Sequence, residues 1–396
     1  MKSPFFKYPY HESRLFEFTL SGKSIVFYSK PGIPLWDQIS PATELVFNYI
    51  QAKPGDKIFI EGIEKCELLI LLSCFYNNLE FCIKETNIIS IELAKKTLSY
   101  NQITNAEIYT QVNLKQSQNG YFNKAIIHLP KGRSLWRKLL IECFYALKEG
   151  GELYLSGPNN LGARTAISDA EAIFGNSRLL GYKKGNRIAS FEKTDKNLIN
   201  TAWSSESGIS LNSWFTFQLH WEGEYYLFHS LPGVFSYNQL DEGTRLVLQH
   251  LKVESGISVL DLGCGYGIIG IFASKFKPNK ITMVDNNLLA IESTKKNVEN
   301  QYIKDVNIVP SDILINITDQ KFDLIITNPP FHVGMEINYH IAYEIIKQSW
   351  EALQPSGSLL LVANKFLPYK KIIEQVFSSN SIIEENSRFN LIQAKK

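Results

Sequence analysis

Short apolar runs, each closed by a polar or glycine-rich tip and followed by a stretch of helical spacing, recur along this chain. In its second half Val259-Leu260-Asp261-Leu262 runs into Gly263-Cys264-Gly265-Tyr266-Gly267 and then a helix-like segment over 268–276. Lys280-Ile281-Thr282-Met283-Val284 ends in Asp285, and Val306-Asn307-Ile308-Val309 leads to Ser311-Asp312. Phe322-Asp323-Leu324-Ile325-Ile326-Thr327 stops at Asn328-Pro329-Pro330-Phe331. Apolar strands that alternate with helices predict an α/β fold, a mostly parallel twisted sheet with helices on both faces. Before this pattern, Phe215-Thr216-Phe217-Gln218-Leu219-His220 and Tyr225-Tyr226-Leu227-Phe228-His229 flank Trp221-Glu222-Gly223-Glu224 and predict a hairpin whose aromatics serve packing.

The same pattern occurs twice, with a period of about 200 residues. Ile88-Ile89-Ser90-Ile91-Glu92-Leu93-Ala94-Lys95-Lys96 aligns on Leu288-Leu289-Ala290-Ile291-Glu292-Ser293-Thr294-Lys295-Lys296. Phe122 to Lys131 aligns on Phe322 to Phe331, and Leu147 to Leu155 mirrors Leu353 to Leu361. The copies differ at the tips. Glu64 and Cys66 replace glycines of the turn, and His128-Leu129-Pro130-Lys131 stands where the second copy has Asn328-Pro329-Pro330-Phe331. Glu85 survives opposite Asp285. The first copy therefore reads as chemically silent.

The second copy carries a coherent set of groups. Pro329 and Pro330 lack a backbone N–H and have fixed φ, so the tetrapeptide presents carbonyl acceptors in one stiff geometry. The Asn328 side-chain oxygen and the Pro329 carbonyl suit both hydrogens of a conjugated amino group, with Phe331 stacking on the ring. Glycines at 263, 265 and 267 let the backbone approach a ligand closely. Their G-x-G-x-G spacing fits neither the dinucleotide fingerprint nor a P-loop. Asp285 stands where an acid accepts from both ribose hydroxyls, and Asp312 where a carboxylate meets an adenine amino group.

This constellation resembles the class I S-adenosylmethionine-dependent methyltransferases that act on conjugated amines. Four further blocks narrow the resemblance: Leu231-Pro232-Gly233-Val234-Phe235-Ser236, Leu240-Asp241-Glu242-Gly243-Thr244, Asn328-Pro329-Pro330-Phe331-His332-Val333-Gly334-Met335 and Val362-Ala363-Asn364-Lys365-Phe366-Leu367-Pro368-Tyr369. In this order they are similar to the RsmC-type small-subunit (16S) ribosomal RNA guanine-N2 methyltransferases. The resemblance implies two tandem Rossmann-like class I methyltransferase domains, the first degenerate. It implies S-adenosylmethionine as cofactor, its methionine end held by Asp261, Gly263 and Gly265, its ribose by Asp285 and its adenine by Asp312. Asn328, Pro329, Pro330 and Phe331 would hold the guanine, and Phe235 and Asp241 would lie near the mouth of the cofactor pocket. His332 is a weaker candidate as proton acceptor. The last strands, over 358–363 and 387–393, are expected to form an antiparallel hairpin.

The expected organisation is a degenerate domain over 1–193 that docks RNA or supports the fold without cofactor, a polar linker over 194–208, and a catalytic domain over 209–396. Its expected partner is ribosomal RNA or the small ribosomal subunit. The sequence leaves open another planar amine (large-subunit guanine N2, adenine N6 or a protein glutamine) and a non-catalytic ribosome-assembly factor that binds RNA.

Composition sets bounds on these readings. A length of 396 residues exceeds one ordinary domain. With 44% hydrophobic and 20% charged residues the chain has the make-up of a globular protein. The five cysteines form no metal-ligand pattern, so no metal is expected, and their spacing suits a reducing compartment. No signal peptide is recognisable, and the longest apolar run, 68–76, is too short for a bilayer, so a cytoplasmic monomer without membrane contact is expected. A net charge of +2 is modest for an RNA-binding protein, which shifts the expected recognition toward shape and a flipped base. Lys131, Arg133, Arg137 and Lys138 around Trp136 form a candidate basic patch, with a solvated face as the alternative.

Overall fold

The computed structural model describes residues 8–63, 65–194, 201–329, 332–333, 336–337 and 339–396. The chain forms two compact units, His11–Phe215 and Thr216–Lys396, and the segment that ends at Tyr10 belongs with the second.

The first unit opens with a hairpin, β1 (Arg14–Leu20) and β2 (Lys23–Ser29), followed by α1 (Pro41–Tyr49). Then come β3 (Lys57–Glu61), α2 (Glu67–Phe75), β4 (Glu80–Lys84), α3 (Ile88–Tyr100), β5 (Ala106–Tyr109), β6 (Phe122–His128) and α4 (Arg133–Ala146). β7 (Leu147–Pro158), α5 (Ala163–Phe174), β8 (Arg178–Lys183) and β9 (Asn186–Glu192) complete it. The sheet order is β5-β4-β3-β6-β7-β9-β8, parallel through β7 and antiparallel at β9. Ile58, Phe59, Ile60, Ala125, Ile126 and Ile127 are almost wholly inaccessible. Central strands buried on both faces explain why the sequence reads as continuous apolar runs instead of an alternation.

The second unit repeats the plan: β10 (Phe215–Trp221), β11 (Glu224–Ser230), α6 (Glu242–His250), β12 (Ser258–Leu262), α7 (Ile268–Ser274), β13 (Lys280–Asp285), α8 (Leu288–Asn300), β14 (Val306–Pro310) and β15 (Phe322–Thr327). The two-residue strands β16 (His332–Val333) and β17 (Glu336–Ile337) precede α9 (Tyr339–Ala352), β18 (Leu353–Asn364), α10 (Tyr369–Val376), β19 (Ser379–Glu385) and β20 (Phe389–Lys395). Its sheet order, β14-β13-β12-β15-β18-β20-β19, matches that of the first unit strand for strand. The helices that follow the second strands start alike. Oδ1 of Asn87 accepts from the backbone N–H of Ile89 at 2.9 Å, and Oδ1 of Asn287 from that of Leu289 at 3.0 Å. Each satisfies an N–H that the helix leaves without an intrahelical acceptor.

Three details differ from the expectations. Trp203 and Ile209 are buried in the core of the first unit, so apolar anchors draw the stretch after 201 onto that unit, and the division falls at Phe215 instead of within 194–208. Residues 358–363 do pair antiparallel with the last strand, but α10 and β19 intervene, and β20 inserts between β18 and β19. The expected hairpin β10–β11 has a counterpart in β1–β2, carried by the alternation Arg14-Leu15-Phe16-Glu17-Phe18 and the turn Ser21-Gly22.

The hairpin aromatics pack as expected. Phe217 stacks on Phe228 with centroids 5.6 Å apart, and both meet Tyr266 edge-on. In the second sheet the strand order reverses between β12 and β15. Crevices at such a point, outside the carboxyl ends of the strands, are where open α/β sheets bind ligands.

Candidate active site

The turn after β12 is built by backbone that only glycine adopts cheaply. Gly263, Gly265 and Gly267 have φ of 77°, 58° and 87°. The N–H groups of Gly263 and Cys264 both donate to the carbonyl of Val284 at 2.9 Å, which fixes the turn to the end of β13. A Cβ on Gly263 would meet nothing within 4 Å, so the turn borders open space there.

Two carboxylates flank the turn from beneath. Asp261 is fully buried, and its Oδ2 accepts from the N–H of Gly270 at 2.9 Å, while Oδ1 has no partner among the described residues. Burial pushes its pKa up to about 7; the Gly270 bond opposes the shift and the nearby Asp285 adds to it. Asp285 accepts from Gly265 N–H at 3.0 Å through Oδ2 and from Asn287 N–H at 2.9 Å through Oδ1. Burial raises its pKa too, against the backbone donors of Asn287, Gly265 and Asn286. Asp312, past the end of β14, is 7% exposed and accepts from the Tyr10 hydroxyl at 2.9 Å.

Asn328 stands at the tip of β15. Its side-chain Nδ2 donates to Oδ2 of Asp241 and to Oγ1 of Thr244, both at 2.9 Å. Asp241 also caps α6 by accepting from the Thr244 N–H at 2.9 Å. The network thus orients the amide: both N–H donors are used, and the oxygen remains as acceptor. Gly243 makes room for this, because a Cβ there would lie 3.1 Å from Asp241 Oδ2 and 3.4 Å from Asn328 Nδ2. Thr327 Oγ1 donates to the Leu262 carbonyl at 2.8 Å and ties the tips of β15 and β12 together. Pro329 is buried.

The structure therefore brings Asp261, Gly263, Gly265, Asp285, Asp312, Asn328 and Pro329 to one edge of one sheet, at the carboxyl ends of its parallel strands. Asp241 Oδ2 is engaged by Asn328 and by the N–H of Thr244, which places this carboxylate beside the tip of β15. Phe235 is 59% exposed on a loop whose neighbour Gly233 accepts from Asn287 Nδ2 at 3.0 Å. Pro330, Phe331 and the side chain of His332 lie outside the described residues. Gly243 and Thr244, to which the sequence assigned no role beyond their block, and Tyr10, which it did not single out, are site neighbours. For Gly243 and Thr244 the cap pattern Asp241-Glu242-Gly243-Thr244 carried a signal. For Tyr10 nothing local did.

At the same edge of the first unit, Ile60 takes the place of Asp261, Val112 that of Asp312 and His128 that of Asn328. His128 is half-buried, and desolvation of its ring lowers its pKa. Cys66 holds φ 69° where the second unit has Gly267. Lys65, fully buried, pairs with Glu67 at 3.4 Å and donates to the Leu35 carbonyl at 3.1 Å. Glu85 is occupied by the N–H groups of Ile63, Thr86 and Asn87. Below it, Lys84 joins Glu61 and Glu142, and Lys138 joins Glu142, in a buried charge network. Glu64 lies outside the described residues.

Two arginines of the candidate basic patch share one carboxylate. Arg133 and Arg137 each hold Asp169 through two N–H groups, and the Trp136 indole donates to the same carboxylate. Among the described residues no group of acidic, His and Cys side chains could hold a metal, and no helix is long and apolar enough to cross a membrane.

The sequence profile described as "Methyltransferase small domain" matches residues 225–393. A ribosomal RNA small subunit methyltransferase C of Haemophilus influenzae is 33% identical over 293 residues, covering 73% of this chain and 84% of that protein. Its namesake from Psychromonas ingrahamii is 29% identical over 336 residues, 85% of this chain and 91% of the relative. Among solved structures, the T. thermophilus 16S rRNA N2 G1207 methyltransferase (RsmC), in complex with AdoMet and guanosine, superposes with a TM-score of 0.80 at 25% identity over 98% of both chains. With its fold, its tandem sheets and its strand-end carboxylates accounted for, the chain belongs to the ribosomal RNA small subunit methyltransferase C family.

Proposed function

We propose that the second unit transfers a methyl group from S-adenosylmethionine to the exocyclic N2 of a guanine in 16S ribosomal RNA. The observation that carries this reading is the amide of Asn328: Asp241 and Thr244 consume both of its donors, so an acceptor oxygen is held at the tip of β15. An amino group attached to a flat ring is the ligand that such an acceptor suits. Pro329, with its fixed φ and its missing N–H, adds a carbonyl in the same stiff segment.

The residues present fit the cofactor. Gly263 borders open space that any Cβ would enter, and Oδ1 of Asp261 is a buried acceptor without a partner among the described residues. A buried carboxylate oxygen left alone is costly, and the cationic ammonium of the methionine moiety suits it. Gly265 completes the same cradle. Asp285 accepts from the ribose hydroxyls and Asp312 from the adenine amino group, while Phe235 lies at the mouth of the pocket. S-adenosylmethionine supplies, when bound, a methyl group activated by its sulfonium.

Asn328 and Pro329 accept hydrogen bonds from the guanine amino group, orient it and localise its lone pair for in-line attack. Pro330 and Phe331 extend the grip on the base. The methyl would pass from the sulfonium to N2, the sulfur keeping the bonding electron pair, and the alkylated nitrogen would shed its proton to water. Rate enhancement comes from positioning and fixed dipoles, without a covalent enzyme intermediate. The target nucleotide leaves its stack to reach the site.

The first unit binds no cofactor in this account and serves RNA docking or support of the fold. The protein acts as a cytoplasmic monomer. An Asn328→Ala variant assayed with labelled cofactor on small ribosomal subunits tests the reading: methyl transfer falls at least a hundredfold, and undiminished transfer overturns the assigned role.

A further inference from the structure

The segment that ends at Tyr10 belongs with the second unit, although the whole first unit separates them in sequence. Tyr10 is only 2% exposed and lies in one buried cluster with Leu262, Val284 and Ile313, residues next to the strand ends that carry the cofactor groups. Its ring meets His340 edge-on at 5.6 Å. Its hydroxyl donates to Oδ1 of Asp312 at 2.9 Å, across 302 positions of sequence.

We propose that Tyr10 is a positioning residue of the cofactor pocket, whose hydroxyl fixes the carboxylate of Asp312 for the exocyclic amino group of adenine. The proposal rests on the assignment of Asp312 to adenine made above. A carboxylate has about four lone-pair sites, so Asp312 can accept from the phenol and from an amino group together. A bond donated to one oxygen removes the rotational freedom of a short side chain, so less order must be imposed when the ligand arrives. Burial, and then the charge of Asp312, hold the Tyr10 pKa well above its ordinary value, so the phenol remains a donor. The fold itself does not need this pair. The first unit has the same strand order with Val112 at the matching position and no carboxylate to hold.

The test uses the full chain with Tyr10→Phe, which keeps the ring and removes one oxygen. Calorimetry compares S-adenosylhomocysteine with its hypoxanthine analogue, in which an oxygen replaces the amino group that Asp312 would receive. The expected result is about tenfold weaker binding of the adenine ligand with the analogue nearly unchanged, so that selectivity between the two collapses. Equal weakening of both ligands would make Tyr10 a packing residue only and overturn the proposal, as would unchanged binding of both. Asp312→Asn is measured in parallel. If it abolishes the selectivity and Tyr10→Phe does not, the role of Tyr10 fails alone; if it leaves the selectivity intact, the adenine assignment fails and the proposal with it.

Discussion

Asp261 combines two properties that pull against each other, complete burial and one carboxylate oxygen without a partner among the described residues. With its pKa near 7 in the fold and about 4 in the unfolded chain, this group binds more protons when folded. Its contribution to stability is therefore fully present below about pH 4 and is lost as pH rises toward 7. Urea unfolding of the cofactor-free protein should show wild type losing stability relative to Asp261→Asn between pH 5 and pH 8, by a few kcal/mol. Equal pH slopes would contradict the burial account. The same variant should bind S-adenosylmethionine much more weakly, because the ammonium loses its counter-charge.

Thr244 allows the Asn328 grip to be probed without disturbing the cap of α6. Its hydroxyl accepts from Asn328, whereas the bond it gives to Asp241 comes from its backbone. Thr244→Val should lower kcat about tenfold and leave the cofactor Kd unchanged, a loss of the size expected for one buried hydrogen bond. A fall in cofactor affinity with kcat intact would place Asn328 on the wrong ligand.

At the scale of elements, the strand–turn–helix unit around Gly263 was legible because every part of it is local. An apolar run buried on both faces and glycines at positive φ each leave their mark within a few residues. The same holds for β15 and its rigid tip. What could not be read was which neighbour completes each group. Asn328 depends on Asp241 and Thr244 from α6, and Asp312 on Tyr10, contacts for which no periodicity gives notice. The first unit's hairpin was missed for a different reason: its alternation lies in a segment where aromatic and polar residues mix, and its significance comes only from its likeness to β10–β11.

Glycine substitutions separate backbone strain from cofactor blockage. Gly263 and Gly256 have φ of 77° and 83°, and neither would bring a Cβ within 4 Å of another atom. Alanine at either position should cost about 1–2 kcal/mol, seen as similar drops in Tm. Only Gly263→Ala should also abolish cofactor binding, since Gly256 lies in the turn before β12, away from the carboxyl edge. Loss of binding in both variants would mean that strain, not space, controls the site.

At the scale of the whole molecule, one fold occurs twice and the two copies use their strand ends differently. The second copy carries at its glycine turn the buried carboxylate of Asp261, one oxygen of which has no partner among the described residues, whereas the first has Ile60 at that place and the buried Lys65–Glu67 pair in the turn that follows. An apolar side chain at that place offers the cofactor's ammonium no counter-charge. Calorimetry should accordingly find one S-adenosylmethionine per chain; a stoichiometry of two would contradict a silent first copy. The tandem arrangement was visible in the sequence, since the spacing of the two copies is nearly constant through the strands of the sheet. The placement of Tyr10 in the second unit was not, because it brings an aromatic residue into a core built from the other end of the chain. A fragment that begins after the first unit also lacks Tyr10, so its cofactor affinity has to be measured before any loss of activity is ascribed to RNA docking.

The central claim, methylation of a guanine N2 by the groups around Asn328, is tested most directly by mass spectrometry of nucleosides from the 16S ribosomal RNA of cells that lack this protein. N2-methylguanosine should fall by one equivalent per small subunit, and return when the wild-type chain is restored but not when Asn328→Ala is supplied in its place. An unchanged N2-methylguanosine content, or the loss of a different modified nucleoside, would contradict the account.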